Sequence, residues 1–265
     1  MVHTYITGAH GFLGKALYTS LLLKGQKISV VPHDEIQNTV LKNFDHFYYL
    51  STYGNMWNHQ DIDTIIHANV TDLIYILKQV ANIPFRSFVF VSTSSVKLDV
   101  QTPYSRAKKA AEEILLTYME RYKLSIAIVR PLSITGIGEQ KEHLIPTLIR
   151  SCRTGEMVNF VPYASHDYID VQDVVAAMEN LSTNGVRGIF ELGWGKCYTN
   201  QEVLEIVEKE CDAKANINIV SALRPYDTTS WKSTNFKSRS WGWVPQVSLT
   251  QSIREMVIAY DKQSK

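Results

Sequence analysis

The chain has 265 residues, 45% of them hydrophobic and 20% charged, enough apolar surface for a sizeable core. Its 27 basic and 26 acidic residues leave a net charge of +1, which excludes the basic stripe of a nucleic-acid binder. No run approaches the roughly 20 apolar residues of a membrane span. Three cysteines, Cys152, Cys197 and Cys211, stand in no CxxC spacing, so neither a disulfide framework nor a metal site is expected. With no signal-peptide pattern at the N-terminus, the expected compartment is the reducing cytoplasm.

Short β-rich runs alternate with helical patterns through the first half, the signature of βαβ units and a parallel sheet. Residues 2–7 read as a strand, 12–24 as a helix, 27–31 as a strand and, after a polar stretch, 46–51 as another. One long helix is expected over 61–80, because Ile62, Ile65, Ile66, Val70, Leu73, Ile74 and Leu77 recur at helical spacing. A strand at 87–91, a helix at 104–123 and a strand at 125–130 follow. Beyond Pro131 the pattern loosens, with turns at Gly136 and Gly138, a helix over 144–152 and a short strand at 168–171. Asp173 would cap a helix over 173–181. A strand at 188–192 and a helix at 200–211 complete the readable elements. The class is α/β, with a doubly wound parallel sheet.

Thr7-Gly8-Ala9-His10-Gly11-Phe12-Leu13-Gly14 joins the first strand to the first helix. Its glycines permit a tight turn and let backbone N–H groups approach a pyrophosphate, while the helix end supplies a positive dipole. A nucleoside-triphosphate loop is excluded, since Ala9 holds its first glycine's place and Ala16 follows Lys15. Tyr104 and Lys108 stand four residues apart, hence on one helix face. An ammonium there favours tyrosinate, and such a tyrosine exchanges a proton with a substrate carbonyl or carbinol. Val91-Ser92-Thr93-Ser94-Ser95 closes the preceding strand, at the edge where parallel sheets bind ligands, and its hydroxyls can polarise a substrate oxygen.

Together these segments resemble the extended short-chain dehydrogenase/reductases, the NAD(P)-dependent epimerase/dehydratase group. The resemblance runs through nearly the whole chain. Residues 7–14 are similar to the family's dinucleotide loop, 47–52 to its strand VIHLAA, and Asn69-Val70 to NVxGT. Residues 88–96 are similar to FVFVSSSSVYG, Tyr104-Ser105-Arg106-Ala107-Lys108 to YxxSK, and Val129-Arg130-Pro131 with Thr135-Gly136 to RPxNxYG. Residues 166–173 resemble RDFIxVxD and 241–245 resemble LGWxP. The resemblance implies a Rossmann-type core from 1–131 and 166–192, with a small C-terminal substrate-binding lobe from 132–165 and 193–265. It implies Tyr104 as general acid/base, Lys108 as its electrostatic partner and ribose contact, and Thr93 as the hydroxyl orienting the substrate oxygen. Gly8, His10, Gly11, Phe12, Leu13, Gly14, Leu50, Val91, Lys108 and Pro131 would contact the dinucleotide. Tyr53, Asn55, Ser94, Ser133, His143 and Arg224 would contact a nucleotide-sugar substrate, Arg224 and His143 at its diphosphate. A homodimer through the helices 61–80 and 104–123 is the family expectation.

The departures narrow the chemistry. Family dehydratases carry Asp-Glu directly after the threonine; here Ser94-Ser95 stand there. What remains is hydride chemistry at one carbon: reduction of a nucleotide-linked 4-keto(-6-deoxy) sugar by NAD(P)H, with Tyr104 as proton donor. A 4-epimerase holding NAD tightly is the alternative on this scaffold. A non-catalytic dinucleotide sensor is a further one, against which the intact Thr93, Tyr104 and Lys108 speak. Pro32 replaces the usual ribose-binding acid, and His10 and His33 are nearby bases, so NADP(H) is favoured over NAD(H). Asp34, 20 residues after Gly14, keeps NAD(H) open. His67 reads as a packing or surface residue, and the tryptophans of the lobe as core.

Overall fold

The computed structural model describes residues 1–56, 59, 61–221, 230–231 (backbone only) and 242–263. In chain order the first elements are β1 (His3–Thr7), α1 (Phe12–Leu23), β2 (Lys27–Val31), β3 (His46–Tyr49), α2 (Ile62–Ile66), α3 (Asp72–Val80), β4 (Ser87–Val91) and α4 (Pro103–Tyr122). Then come β5 (Ile126–Pro131), β6 (Ser133–Thr135), α5 (Leu144–Thr154), β7 (Val158–Phe160), β8 (Ser165–Asp170) and α6 (Val171–Thr183). The last are β9 (Gly188–Leu192), β10 (Cys197–Thr199), α7 (Asn200–Cys211), β11 (Ile217–Ile219), β12 (Ser230–Trp231) and α8 (Leu249–Gln263). The chain divides into two compact units, Met1–Arg130 with Val175–Phe190, and Pro131–Val174 with Glu191–Lys265.

The first unit is built on a sheet of order β2-β1-β3-β4-β5-β9, parallel from β2 through β5. The chain leaves β1 to one side for β2 and returns to the other side for β3, so the strand order reverses beside β1. In open α/β sheets the crevice at that reversal, at the carboxyl ends of the strands, is where ligands bind. Both faces of the sheet are covered, so β3 and β4 are apolar almost throughout. Aromatic rings fill one layer across the strands, Tyr5 against Phe47 at 5.9 Å, Phe47 against Phe88 at 5.0 Å and Tyr49 against Phe90 at 5.8 Å between centroids. Each such ring, fully buried, contributes about 1.5–3 kcal/mol.

The helix expected at 61–80 is broken by a π turn over His67–Thr71. The buried Asn69 side chain donates to Ile65 O at 2.8 Å, taking up a helix carbonyl that the widened turn leaves for it. α4 starts one residue earlier than expected, because Thr102 caps it, accepting from Ser105 N at 3.2 Å, and Pro103 fits the first turn.

In the second unit β8 pairs in parallel with β6 and β12 and antiparallel with β10. Leu148, Phe160, Leu204, Val207 and Ile253 form the centre of its core; of the lobe's tryptophans read as core, Trp243 is buried, Trp194 is half-buried, and Trp241 and the Trp231 side chain lie outside the described residues. Thr199 and Glu202 close α7 with a reciprocal capping box. Asp173 is not a cap. α6 begins at Val171, and Asp170 takes the capping bond from Gln172 N at 2.8 Å. Asp173 instead accepts from Gln246 N and Val247 N, each at 2.9 Å.

Candidate active site

The loop after β1 forms a tight cradle. Gly8 has φ +69, and a Cβ there would lie 2.8 Å from the Leu50 carbonyl carbon. A Cβ on Gly14 would lie 2.0 Å from Gly8 O. Both positions therefore require glycine. Thr7 Oγ1 accepts from Leu50 N at 3.0 Å and Ser51 N at 3.1 Å, which pins the chain after β3 to the end of β1. No side chain caps α1 at Gly11 and no acid sits in its first turn. His10 and Gly11 are exposed, Phe12 and Leu13 half-buried. The N-terminal N–H groups and positive helix end thus suit an anion, and the cradle that a Cβ would fill fits a dinucleotide pyrophosphate.

Thr93, Tyr104 and Lys108 belong to the same unit. Thr93 follows β4 in extended backbone, its Oγ1 accepting from Ser95 N at 3.2 Å and lying 3.1 Å from Ser95 Oγ. Ser94 opens the short turn that follows. Lys108 is 1% exposed. Its Nζ donates to Val91 O at 3.0 Å and stands 4.7 Å above the Phe90 ring. Burial lowers its pKa to about 7, with Glu112 opposing. Glu112, one turn further along α4, is itself buried. Its two oxygens accept from Nε and Nη2 along one edge of the Arg130 guanidinium, Nε at 2.9 Å, and one of them also accepts from the Ser92 hydroxyl. Neither Glu112 nor this network was anticipated, although Glu112 repeats the four-residue spacing that links Tyr104 to Lys108.

Tyr104 corrects one expectation. Burial pushes its pKa up to about 12, against the hydrogen bond to the Thr52 side chain, which lowers it. Lys108 is not among the influences on it, so the expected pull towards tyrosinate is absent in the free protein: the ammonium is engaged with Val91 O, and desolvation of the phenolate sets the direction. Thr52 was not foreseen, and neither was its partner Asn69, which entered the sequence reading only as a motif residue. Tyr53 stacks on His59 at 4.3 Å, and Asn55 is exposed on the same loop.

Pro131 ends β5. In the second unit, Ser133 Oγ lies 3.2 Å from His166 Nδ1. His143 stands at the N-cap of α5, its Nδ1 3.0 Å from Glu139 Oε1, while Glu139 also accepts from Thr135 Oγ1 at 2.8 Å. Arg224 lies outside the described residues. His67 is an exposed residue with Nε2 2.9 Å from Gln37 Nε2, in keeping with the surface reading. Among the described residues no cluster of three or more histidine, cysteine or acidic groups suits a metal, and no helix is long and apolar enough to cross a membrane.

A curated relative, the dTDP-D-glucose 4,6-dehydratase of Mus musculus, is 24% identical over 271 residues, covering 92% of this chain and 71% of the relative. Two solved structures share the fold. MoeE5 in complex with UDP-glucose and NAD has a TM-score of 0.89 at 21% identity, over 99% of this chain and 100% of that one. RMD from Pseudomonas aeruginosa complexed with NADPH has a TM-score of 0.84 at 19% identity, over 99% and 100%. The family model for the NAD dependent epimerase/dehydratase family matches residues 4–193, well over half of the sequence. The chain therefore belongs to the NAD dependent epimerase/dehydratase family, within the extended short-chain dehydrogenase/reductases, and is an enzyme of that nicotinamide-dependent kind.

Proposed function

We propose that the enzyme reduces the 4-keto group of a nucleotide-linked, 6-deoxy sugar, with NADPH taken in preference to NADH. The observation that carries this reading is Tyr104, a phenol whose burial keeps it protonated, on the helix that follows Thr93. A reductase needs an acid first; a 4-epimerase needs a base first, to remove the proton of the C4 hydroxyl. Ser94-Ser95 supply no carboxylate for the second proton transfer of a dehydration, unlike the dehydratase pattern of the resemblance.

When bound, the dinucleotide supplies a hydride. Reduction at C4 would place negative charge on the carbonyl oxygen. Thr93 donates to that oxygen and orients it, and Tyr104 transfers its phenolic proton there. Tyr104 is left as tyrosinate until solvent returns a proton; Lys108 is assigned as its electrostatic partner on the resemblance alone. Tyr53, Asn55 and Ser94 are assigned to the sugar. Ser133, His143 and Arg224 are assigned to the nucleotide diphosphate on the resemblance alone. His10 and His33, with no acid at Pro32, support NADPH over NADH. A cytoplasmic homodimer completes the reading.

The test is NADPH oxidation in the presence of 4-keto-6-deoxy nucleotide sugars. Tyr104→Phe is expected to abolish turnover and leave NADPH affinity within about twofold, measured by calorimetry. Full activity in that variant would overturn the mechanism. About one equivalent of NAD released on denaturing fresh protein would favour the epimerase.

A further inference from the structure

Glu112 is a carboxylate in the interior of α4, with 2% of the residue in contact with solvent. Lys108 stands one turn before it on the same helix face, where residues four apart lie about 5–6 Å from each other at Cβ. A carboxylate taken out of water needs partners for its lone pairs. Glu112 has three: Arg130 Nε on β5 at 2.9 Å, Arg130 Nη2, and the Ser92 hydroxyl just past β4. The two-pronged grip of a guanidinium matches an ionised carboxylate. Ser92 follows Val91, whose carbonyl accepts from the Lys108 ammonium at 3.0 Å, and it precedes Thr93. One carboxylate thus fastens α4, which carries Tyr104 and Lys108, to the strand end that carries Thr93. Its charge also reaches the lysine. Burial brings the Lys108 pKa down to about 7, and Glu112 pulls it back up. Near pH 7 ammonium and amine are therefore in balance, and a neighbouring charge decides between them.

We infer that Glu112, held in place by Arg130 and Ser92, is a positioning residue that keeps Lys108 a cation beside the strand end bearing Thr93. The inference rests on the reading of Lys108 as the electrostatic partner of Tyr104, and it names the group on which that charge depends. Glu112 acts through Lys108 and takes no proton in the reaction. The other groups on the elements packed here do not supply the anion. Tyr104 on α4 is a protonated phenol, and Arg130 on β5 is a like charge. The strand β4 offers the Phe90 ring face at 4.7 Å and the Val91 carbonyl. Asp72 on α3 accepts from Gln37 Nε2 at 3.0 Å and faces His67 Nδ1 at 3.6 Å.

The test uses cofactor-free protein carrying 13Cε-labelled lysine, the Lys108 resonance being identified by its loss in Lys108→Met. Glu112→Gln keeps the shape and deletes the charge. The Lys108 titration is expected to move down by about one unit in that variant, the effect of losing one opposite charge nearby. Glu112→Asp keeps the charge on a shorter arm and is expected to titrate closer to wild type. A role in packing alone predicts the reverse order, because the shorter side chain disturbs the contacts more. Deleting one charge of a buried pair leaves the other uncompensated, so Glu112→Gln/Arg130→Gln, which deletes both, is measured alongside. Lys108 is expected to titrate below wild type there too, since Glu112 and not Arg130 is the charge that acts on it. In the loaded enzyme, kcat at pH 8 relative to pH 6 should fall about fivefold in Glu112→Gln and stay near wild type in Glu112→Asp. A titration unmoved or raised in Glu112→Gln, or in the double variant where the single one does not fold, overturns the inference, as does a larger shift in Glu112→Asp. The resonance needs neither dinucleotide nor sugar. A lowered titration in a protein that reduces no 4-keto sugar therefore supports Glu112 and removes the reductase reading, whereas reduction with the titration unmoved removes only the role of Glu112.

Discussion

Lys108 carries an ionisable group where only 1% of the residue meets solvent, and it is held there by one carbonyl and one ring face. Replacing it with methionine keeps the stem and deletes the charge. Turnover in Lys108→Met is expected to fall by about 10²-fold or more, in the range of general acid–base assistance, with circular dichroism unchanged; a loss below threefold would deny it an electrostatic role. Gly14→Ala places a methyl 2.0 Å from Gly8 O, so the loop must open, and dinucleotide affinity should drop at least tenfold by calorimetry. Retained affinity would disprove the cradle. Tyr104, Lys108 and Thr93 could be proposed from the sequence because the chemistry ties residue types to short, fixed spacings and the family resemblance marks the same positions. Thr52 and Asn69 could not, because Thr52 meets Tyr104 from 52 positions away and Asn69 from 17, and no local pattern marks such contacts. The sign of the Tyr104 shift was misread for a related reason: spacing gives the neighbour, and only packing gives the desolvation.

Among the elements, the parallel strands and their helices were readable from apolar runs, and a parallel sheet follows from their alternation, whereas the strand order is seen only in the structure. The π turn was not readable either. The stripe that suggested a regular helix counts Ile62 and Ile66, which are 56% and 47% exposed, while the buried face includes the polar Asn69 and Asp72. Periodicity weighs only apolar residues, so a turn organised by an asparagine escapes it. Asn69→Ala would leave the Tyr53 and Ile65 carbonyls and the Thr52 hydroxyl without their partner, and stability should fall by about 2–4 kcal/mol in urea melts; a change within about 0.5 kcal/mol would show that the π turn stands without it. Three-residue strands such as β6, β7, β10 and β11 are too short to display a period of two, and partners distant in sequence decide them.

For the whole molecule, the titrating groups fix a direction for stability against pH. His46 is buried between Ser87 Oγ at 2.8 Å and Ser182 Oγ at 2.9 Å, and burial lowers its pKa. The unfolded imidazole takes a proton below about pH 6.5 that the folded one refuses, so its contribution is complete above that pH and is lost as pH falls. Lys108 acts with the same sign higher up. Its folded value of about 7 lies below the ordinary lysine value, so from pH 7 upward the unfolded chain binds more protons and stability rises, by at most about 1.4 kcal/mol per pH unit. Above about pH 9 the raised thiols Cys152 and Cys211 oppose this. Cofactor-free protein should therefore be more stable at pH 8.5 than at pH 7, and Lys108→Met should flatten that rise; an equal rise in the variant would assign it to other groups. The central claim is that Tyr104 begins as an acid in a net reduction. Its most direct test mixes the enzyme with NADPH and a 4-keto-6-deoxy nucleotide sugar in equal amounts and follows both cofactor absorbance and sugar resonances. The account predicts one NADPH consumed for each C4 alcohol formed; NADPH left intact, or a nucleotide sugar interconverted at C4 with no net change in cofactor, would contradict it.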